Sequence, residues 1–277
     1  MINFNGTLES PENFTLTINN RAFKYGDGIF ETVKVLNHNV VFWEDHYFRL
    51  MSSMRMLRMK IPMSFTLEFL EAEILKTIKS QEASSSFRVR LSVYRQDGGL
   101  YTPTTNNIDY LIEVSPLKIQ EKTSYTVDLF KDFYNYSGLL STVKTNNRML
   151  NTLASVFASE NDLDNAILLN EKKGVVEATN GNIFIVKGNT IKTPALTEGC
   201  IKGITRGKII EIITKNVDFE VEETSISPFE IQKADEVFIT NAITGIQIVT
   251  NYRKKVFSRV VGDKLSNSLR ILQILKK

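Results

Sequence analysis

The stretch GLLSTVKTNNRMLNTLASVFASEND, residues 138–162, places a single lysine, Lys144, on the approach to a segment with helical spacing. Leu150, Leu153, Ala154, Phe157 and Ala158 recur at i, i+3, i+4, i+7 and i+8, which predicts an amphipathic helix with this stripe in a core. Asn146 or Asn147 is the expected cap of its first turn. A lysine just before a helix is usually solvated, so its position permits chemistry without requiring it.

On the N-terminal side, GIFETVKVL (28–36) and VVFW (40–43) read as strands joined by the turn NHN. EDHYFRLMSSMRMLRM (44–59) reads as a helix burying Phe48, Met51, Leu57 and Met59, and SFTLEFLEAEILKTIKSQ (64–81) as another. SFRVRLSVY and DYLIEVSPL read as strands. Proline and polar residues in 115–124 mark the expected boundary between domains 1–117 and 118–277. Beyond 162, AILLN, VVEAT, NIFIV and TIKTP are expected to form a meander. A helix near Thr205, strands in DEVFITNAITGIQIV and a helix from about 262 complete the reading.

The bulk numbers narrow the function. At 277 residues and 42% hydrophobic, the chain has material for a well-cored globular protein. No run approaches the roughly 18 apolar residues of a membrane span, and no leader-like segment follows the start, so a cytoplasmic protein is expected. One cysteine, Cys200, excludes an internal disulfide and any multi-cysteine metal site, and its simplest role is a small core residue. Lys plus Arg number 34 against 31 Asp plus Glu and are spread along the chain, which gives no sign of nucleic-acid binding. His38 and His46 do not form a helical zinc motif, and no G-x-S-x-G elbow exists. No metal is expected. YGDG lacks the third glycine of a dinucleotide fingerprint, and GCIKGITRGK fails the spacing of a P-loop.

Three features remain. Gly203, Ile204 and Thr205 open a predicted helix, where backbone N–H groups favour an anion. Glu177, in GVVEATNGNIFIV, lies in a half-buried segment by alternation and calls for a cationic partner. A lysine, a sheet carboxylate and an anion-ready helix start are the parts of a pyridoxal phosphate site.

The chain resembles the class IV aminotransferase family, fold type IV of the pyridoxal phosphate enzymes, nearly end to end. NRAFKYGDGIFETVKV resembles the family's opening motif, HYFRL its phosphate-binding arginine segment, VKTNNRMLN its lysine segment, GVVEATNGNIFIV its glutamate segment and GITR its phosphate loop. The resemblance implies an α+β fold, with a smaller N-terminal α/β domain and a larger, β-rich C-terminal domain carrying the Schiff-base lysine. It implies pyridoxal 5'-phosphate held by Lys144, Glu177 at the ring nitrogen, and Arg49, Ile204 and Thr205 at the phosphate. Asn241 and Ala242 correspond to a further cofactor-binding loop, and Tyr25 and Phe30 to pocket-lining aromatics. Arg90 and Arg95 are candidates for a substrate carboxylate, although alternating arginines also mark an exposed strand face. The expected partners are a small amine bearing a carboxylate and a second copy of the chain.

Within the family, KTNNRML resembles aminodeoxychorismate lyase, since a branched-chain transaminase usually has tyrosine where Met149 stands. ITNAITGIQIV also resembles the lyase, whereas Ile248 replaces its usual proline and VYRQDGGLYTP follows it only loosely around Arg95. The expectation is the lyase, which forms 4-aminobenzoate and pyruvate for folate synthesis. An amino acid aminotransferase of branched-chain or D-amino acid type is the alternative.

Overall fold

The first strands, β1 (Ile2–Phe4) and β2 (Thr7–Glu9), form a short hairpin. This computed structural model describes residues 1–81, 84–118 and 122–275. It divides into two units, the first from the described part of Met1–Ile119 with Lys144–Asn147, the second from that of Gln120–Val143 and Arg148–Leu275. Part of the expected boundary segment, 119–121, lies outside the described residues.

In the first unit α1 (Arg21–Tyr25) follows the cap Asn20, whose side-chain oxygen accepts from Phe23 N–H. Then come β3 (Gly28–Leu36), β4 (Asn39–Val40), α2 (Trp43–Met56), α3 (Leu67–Lys79), β5 (Ser86–Arg95) and β6 (Ile108–Pro116). All pairings in the resulting sheet are antiparallel, in the order β2-β1-β6-β5-β3-β4. Because side chains alternate between faces, Ile29, Glu31, Val33 and Val35 share one face of β3, and Phe30, Thr32 and Lys34 the other. Bonds from α2 to Glu31 show that the helices cover the first of these faces. Leu50 and Met54 of α2 and Leu70, Ile74 and Ile78 of α3 are their buried positions.

Two local expectations change here. VVFW is not a strand beyond Val40, because Phe42 turns at positive φ and Trp43 starts α2. Phe48 is 59% exposed rather than core, since 100° per residue places it about 140° around the helix from buried Trp43. Met51 and Met59 are buried as expected, and Leu57 caps the helix end.

Lys144–Asn147 joins this sheet. Phe30 N–H donates to Lys144 O at 3.0 Å and Asn146 N–H to Gly28 O at 2.8 Å, with Ile29 and Thr145 as antiparallel partners. The lysine was expected in the second domain; these backbone bonds assign it to the first unit instead. β4 pairs only the far end of β3, at Val35 and Leu36, so the edge at Gly28–Phe30 is available to this segment.

The second unit runs β7 (Thr126–Leu129), α4 (Met149–Glu160), β8 (Asn165–Leu169), β9 (Val175–Ala178), β10 (Asn182–Lys187), β11 (Thr190–Pro194) and α5 (Ile204–Thr214). β12 (Glu220–Thr224), α6 (Pro228–Lys233), β13 (Glu236–Asn241), β14 (Gly245–Val249), β15 (Asn251–Tyr252), β16 (Lys255–Val256) and α7 (Val260–Leu275) follow. Two sheets result, β12-β11-β10-β13-β14 and β16-β15-β7-β8-β9, sharing a core of Ile167, Leu169, Val175, Ile183, Ile185, Val237 and Ile239.

The expected meander is therefore divided between the sheets. β13 takes the edge of β10 that β9 would have used, and a Cβ at Gly181 would fall 2.5 Å from Thr240 O. α4 buries Ala154 and Ala158 against Phe130, Ala166 and Leu168, with Leu150 and Phe157 alongside. Leu153, expected in that stripe, is 37% exposed and shares an outer apolar face with Met149 and Val156. Arg148, not Asn146 or Asn147, stands at the N-cap, and no side chain caps the first turn. The mix of helices with largely antiparallel sheets is the expected α+β class.

Candidate active site

Within the first unit, Lys144 Nζ lies 4.5 Å from the centroid of the Phe30 ring. The Arg90 guanidinium carbon lies 3.7 Å from the same centroid. Thr32 is the β5 partner of Arg90, and Phe30 that of Ser92, so strand register brings Phe30, Arg90 and Ser92 to one face. Arg90 donates from Nε to Ser92 Oγ at 3.2 Å and from Nη2 to Asn146 Oδ1 at 3.4 Å. Glu113 is 3.8 Å away and half exposed. Burial lowers the Arg90 pKa, with Glu113 pulling the other way. Lys144, Phe30, Arg90 and Asn146 thus form one cluster, and a half-buried guanidinium beside an amine suits a substrate carrying a carboxylate.

Arg95 sits elsewhere. Its guanidinium is 8% exposed and donates to Asp27 at 3.0 Å and Leu57 O at 2.8 Å, as well as to Asn106. Asp27 also accepts from Arg21 at 2.8 Å, and Arg21 donates to the carbonyls of Gly98 and Leu100. Arg95 is a strut for the turn that joins β5 to β6. Tyr25 belongs to the same assembly, under Arg21 and 5.6 Å from the ring of Tyr101.

Arg49, on α2, meets a buried carboxylate that the sequence did not single out. Its Nε donates to Glu31 Oε1 at 2.8 Å and its Nη2 to Oε2 at 2.5 Å, and His46 Nδ1 lies 2.7 Å from Oε2. The signal was present: Glu31 occupies a position where Ile29, Val33 and Val35 alternate, and His46 precedes Arg49 by three residues, one helical turn.

In the second unit Glu177 is buried, 4% exposed, rather than half-buried as the alternation suggested. Its Oε2 accepts from Ile201 N–H at 2.9 Å. Ile201 O in turn accepts from Asn182 Nδ2 at 2.8 Å, and Asn182 pairs with Thr240 across the sheet. The start of α5 is thereby tied to Glu177. Gly203 is its N-cap and no side chain caps the helix; a Cβ there would fall onto Asn182 Oδ1, so a larger residue would require the Asn182 amide to move. Thr205 is buried in the first turn, and Arg206, also buried, donates to Glu223 at 2.6 Å and to Pro194 O. Thr240 Oγ1 is buried with no hydrogen-bond partner among the described residues. Asn241 turns its side-chain oxygen to the N–H groups of Ile243 and Thr244, shaping the turn that includes Ala242. Cys200 is fully buried, and burial pushes its thiol up to about 12, as suits an inert core residue.

The model of the Amino-transferase class IV family matches residues 28–252. The chain belongs to this family. It is 27% identical to the D-alanine aminotransferase of Bacillus licheniformis over 267 residues, covering 90% of this chain and 87% of that one. It is 26% identical to the aminodeoxychorismate lyase of Vibrio harveyi over 242 residues, 84% of this chain and 86% of that one. The branched-chain aminotransferase structure from Thermoproteus uzoniensis superposes with a TM-score of 0.90 at 23% identity, covering 100% and 95% of the two chains. The fold is that of fold type IV aminotransferases.

Class IV aminotransferases use pyridoxal phosphate. The donor chemistry of this chain fits that group. The first unit holds the Lys144 amine and the Arg49 guanidinium, the latter 11% exposed. The second, taken by itself, holds the buried Glu177 carboxylate, the start of α5 with no side-chain cap, and the Thr240 hydroxyl, which has no hydrogen-bond partner among the described residues. No helix among the described residues is long and apolar enough to cross a membrane.

Proposed function

We propose that this class IV aminotransferase family member is an aminodeoxychorismate lyase, converting aminodeoxychorismate to 4-aminobenzoate and pyruvate. The reading rests on the segment Lys144-Thr-Asn-Asn147-Arg148-Met149, where the family's lyase pattern replaces the transaminase tyrosine with Met149. The Arg90 guanidinium beside the Lys144 amine supports a substrate that is both an amine and a carboxylate.

Lys144 would hold pyridoxal phosphate covalently, Glu177 its ring nitrogen, and Arg49 with the backbone of Ile204 and Thr205 its phosphate. The turn of Asn241 and Ala242 is assigned to the same phosphate end. When bound, the cofactor supplies an electron sink. Lys144 Nζ would serve as the base that takes the proton from the substrate carbon bearing the amine. Arg90 holds the substrate carboxylate through bidentate hydrogen bonds, Phe30 borders the ring of the substrate, and Glu177 keeps a proton at the ring nitrogen by offering it a carboxylate. Loss of the side chain as pyruvate leaves an aromatic ring, which drives the reaction forward.

A second reading, an amino acid aminotransferase, is favoured by Ile248 at the usual lyase proline and by the D-alanine aminotransferase relative. Here Lys144 would return the same proton to the cofactor side. The two readings separate in one experiment. With aminodeoxychorismate and no 2-oxo acid, the lyase releases pyruvate and 4-aminobenzoate over many turnovers, whereas an aminotransferase stops after a single half-reaction. Rapid bleaching of the bound cofactor by D-alanine, L-leucine or L-glutamate, with no pyruvate from aminodeoxychorismate, would establish the second reading.

The protein is further proposed to work as a homodimer in the cytoplasm. Met149, Leu153 and Val156 give α4 an apolar outer face, and Tyr136, Leu139 and Leu140 of the same unit are also exposed. Light scattering that finds only a 31.5 kDa particle would rule the dimer out.

A further inference from the structure

We propose that Ser92 and Asn146 are positioning residues, which hold the Arg90 guanidinium over Phe30 without neutralising it, so that its remaining edge keeps its charge for a carboxylate. This rests on the reading of Arg90 as the cation for the substrate carboxylate.

Strand register brings these residues to one face of the first sheet. Ser92 lies two residues beyond Arg90 on β5 and is the cross-strand partner of Phe30, and Asn146 lies two residues beyond Lys144 on the segment that pairs with Gly28 and Phe30. Gly28 makes room for the amide: a Cβ there would fall 2.6 Å from Asn146 Nδ2. Arg90 Nε donates to Ser92 Oγ at 3.2 Å and Nη2 to Asn146 Oδ1 at 3.4 Å, while the guanidinium carbon stands 3.7 Å from the centroid of Phe30. Two bonds on one edge and a ring against one face set the plane and rotation of a planar group. Nη1 makes no hydrogen bond among the described residues, so the Nη1/Nη2 edge is the one that can grip a carboxylate.

The acceptors of Arg90 differ in kind from those of the neighbouring arginines. Arg21 and Arg95 share Asp27, and Arg49 takes Glu31, so each meets a carboxylate at 3.0 Å or less. Both short-range acceptors of Arg90 are neutral. Its carboxylate neighbour among the described residues, Glu113, is 3.8 Å from Nε and half exposed, where water screens it. A guanidinium only 30% exposed is thereby fixed in place with its charge little offset. An arginine held beforehand loses less side-chain freedom on binding than one that its ligand must order. An apolar residue at 92 or 146 would free Arg90 to close on Glu113, and that pair would have to part before a ligand could bind.

The test measures, by calorimetric titration of the holoprotein, the affinity for 4-aminobenzoate against 4-aminobenzamide and for propionate against propionamide. Each amide keeps the shape of its acid without the charge. The wild type should prefer the acid of at least one pair. Ser92→Ala and Asn146→Leu should each weaken binding of that acid by roughly threefold to tenfold and leave its amide unchanged. Ser92→Thr keeps the accepting oxygen and should keep the preference. In an Arg90→Gln background neither substitution should lower the preference further. The two positions are changed separately, so if one variant fails to fold the other carries the test. Full retention of the preference in Ser92→Ala or Asn146→Leu while Arg90→Gln loses it, equal weakening of acid and amide, or a loss in Ser92→Thr as large as in Ser92→Ala, overturns the inference alone. Absence of an acid preference in the wild type, or its retention in Arg90→Gln, overturns the reading of Arg90 and the inference together.

Discussion

Arg90 and Lys144 lie against one aromatic ring, 3.7 and 4.5 Å from the centroid of Phe30, so the guanidinium and the amine are no further apart than those two distances combined. A substrate whose amine reacts at Lys144 has a cation for its carboxylate within reach. Arg90→Gln is expected to raise KM by about tenfold through loss of a charge-assisted bond. Arg95→Gln is expected instead to lower thermal stability, because Asp27, the Asn106 side chain and the Leu57 carbonyl at the end of α2 lose a buried partner. Kinetics and melting of both variants decide the matter, and the opposite pattern would reassign the carboxylate to Arg95.

Lys144 should carry the cofactor. Purified holoprotein treated with borohydride is expected to retain the reduced cofactor on the peptide around residue 144, and Lys144→Ala should have no measurable turnover. Mapping of the adduct to another lysine would remove Lys144 from the role that its place on the edge of β3 suggests.

Glu177→Gln should still bind cofactor but turn over at least tenfold more slowly, since an amide cannot keep the ring nitrogen protonated as a carboxylate does. The backbone N–H of Ile201 can donate to the amide oxygen, so the local geometry should survive. Turnover equal to that of the wild type would make Glu177 a structural tie to the α5 loop and nothing more.

Glu31 should make the protein sensitive to acid. Its folded pKa, about 2, lies below its ordinary value of 4.5, so its stabilising contribution is complete above about 4.5 and is lost as pH falls toward 2. Denaturant titrations across that range should give Glu31→Gln a flatter dependence of stability on pH than the wild type. Parallel curves would show that the carboxylate does not contribute to the acid limb.

The strands and helices that hold these residues were legible wherever a short-range period ran uninterrupted. GIFETVKVL, SFRVRLSVY and the helix capped by Thr66 all appear where their patterns predict. What local period does not encode is which edge a strand joins, and there the expectations failed. NIFIV follows VVEAT through an Asn-Gly turn, the usual hairpin signal, yet β13, some fifty residues later, takes the edge of β10. Lys144 precedes a helix of the second unit but pairs with β3 of the first. Leu153 obeys helical spacing yet is 37% exposed. Of the candidate residues, Lys144, Arg49, Glu177 and Thr205 stood out through motifs, whereas Glu31 and His46 become meaningful only when α2 lies over β3.

The backbone pairing of Lys144–Asn147 with Gly28–Phe30 also orders events during synthesis. A nascent chain that has emerged through β6 holds every named strand of the first sheet, yet the edge at Gly28 and Phe30 still lacks its partner. More than twenty further residues must leave the ribosome before the segment bearing the amine can close that edge. Lys144 is thus among the last pieces added to the unit that contains it, and Arg90 and Phe30 beside it can be in place before its amine is present.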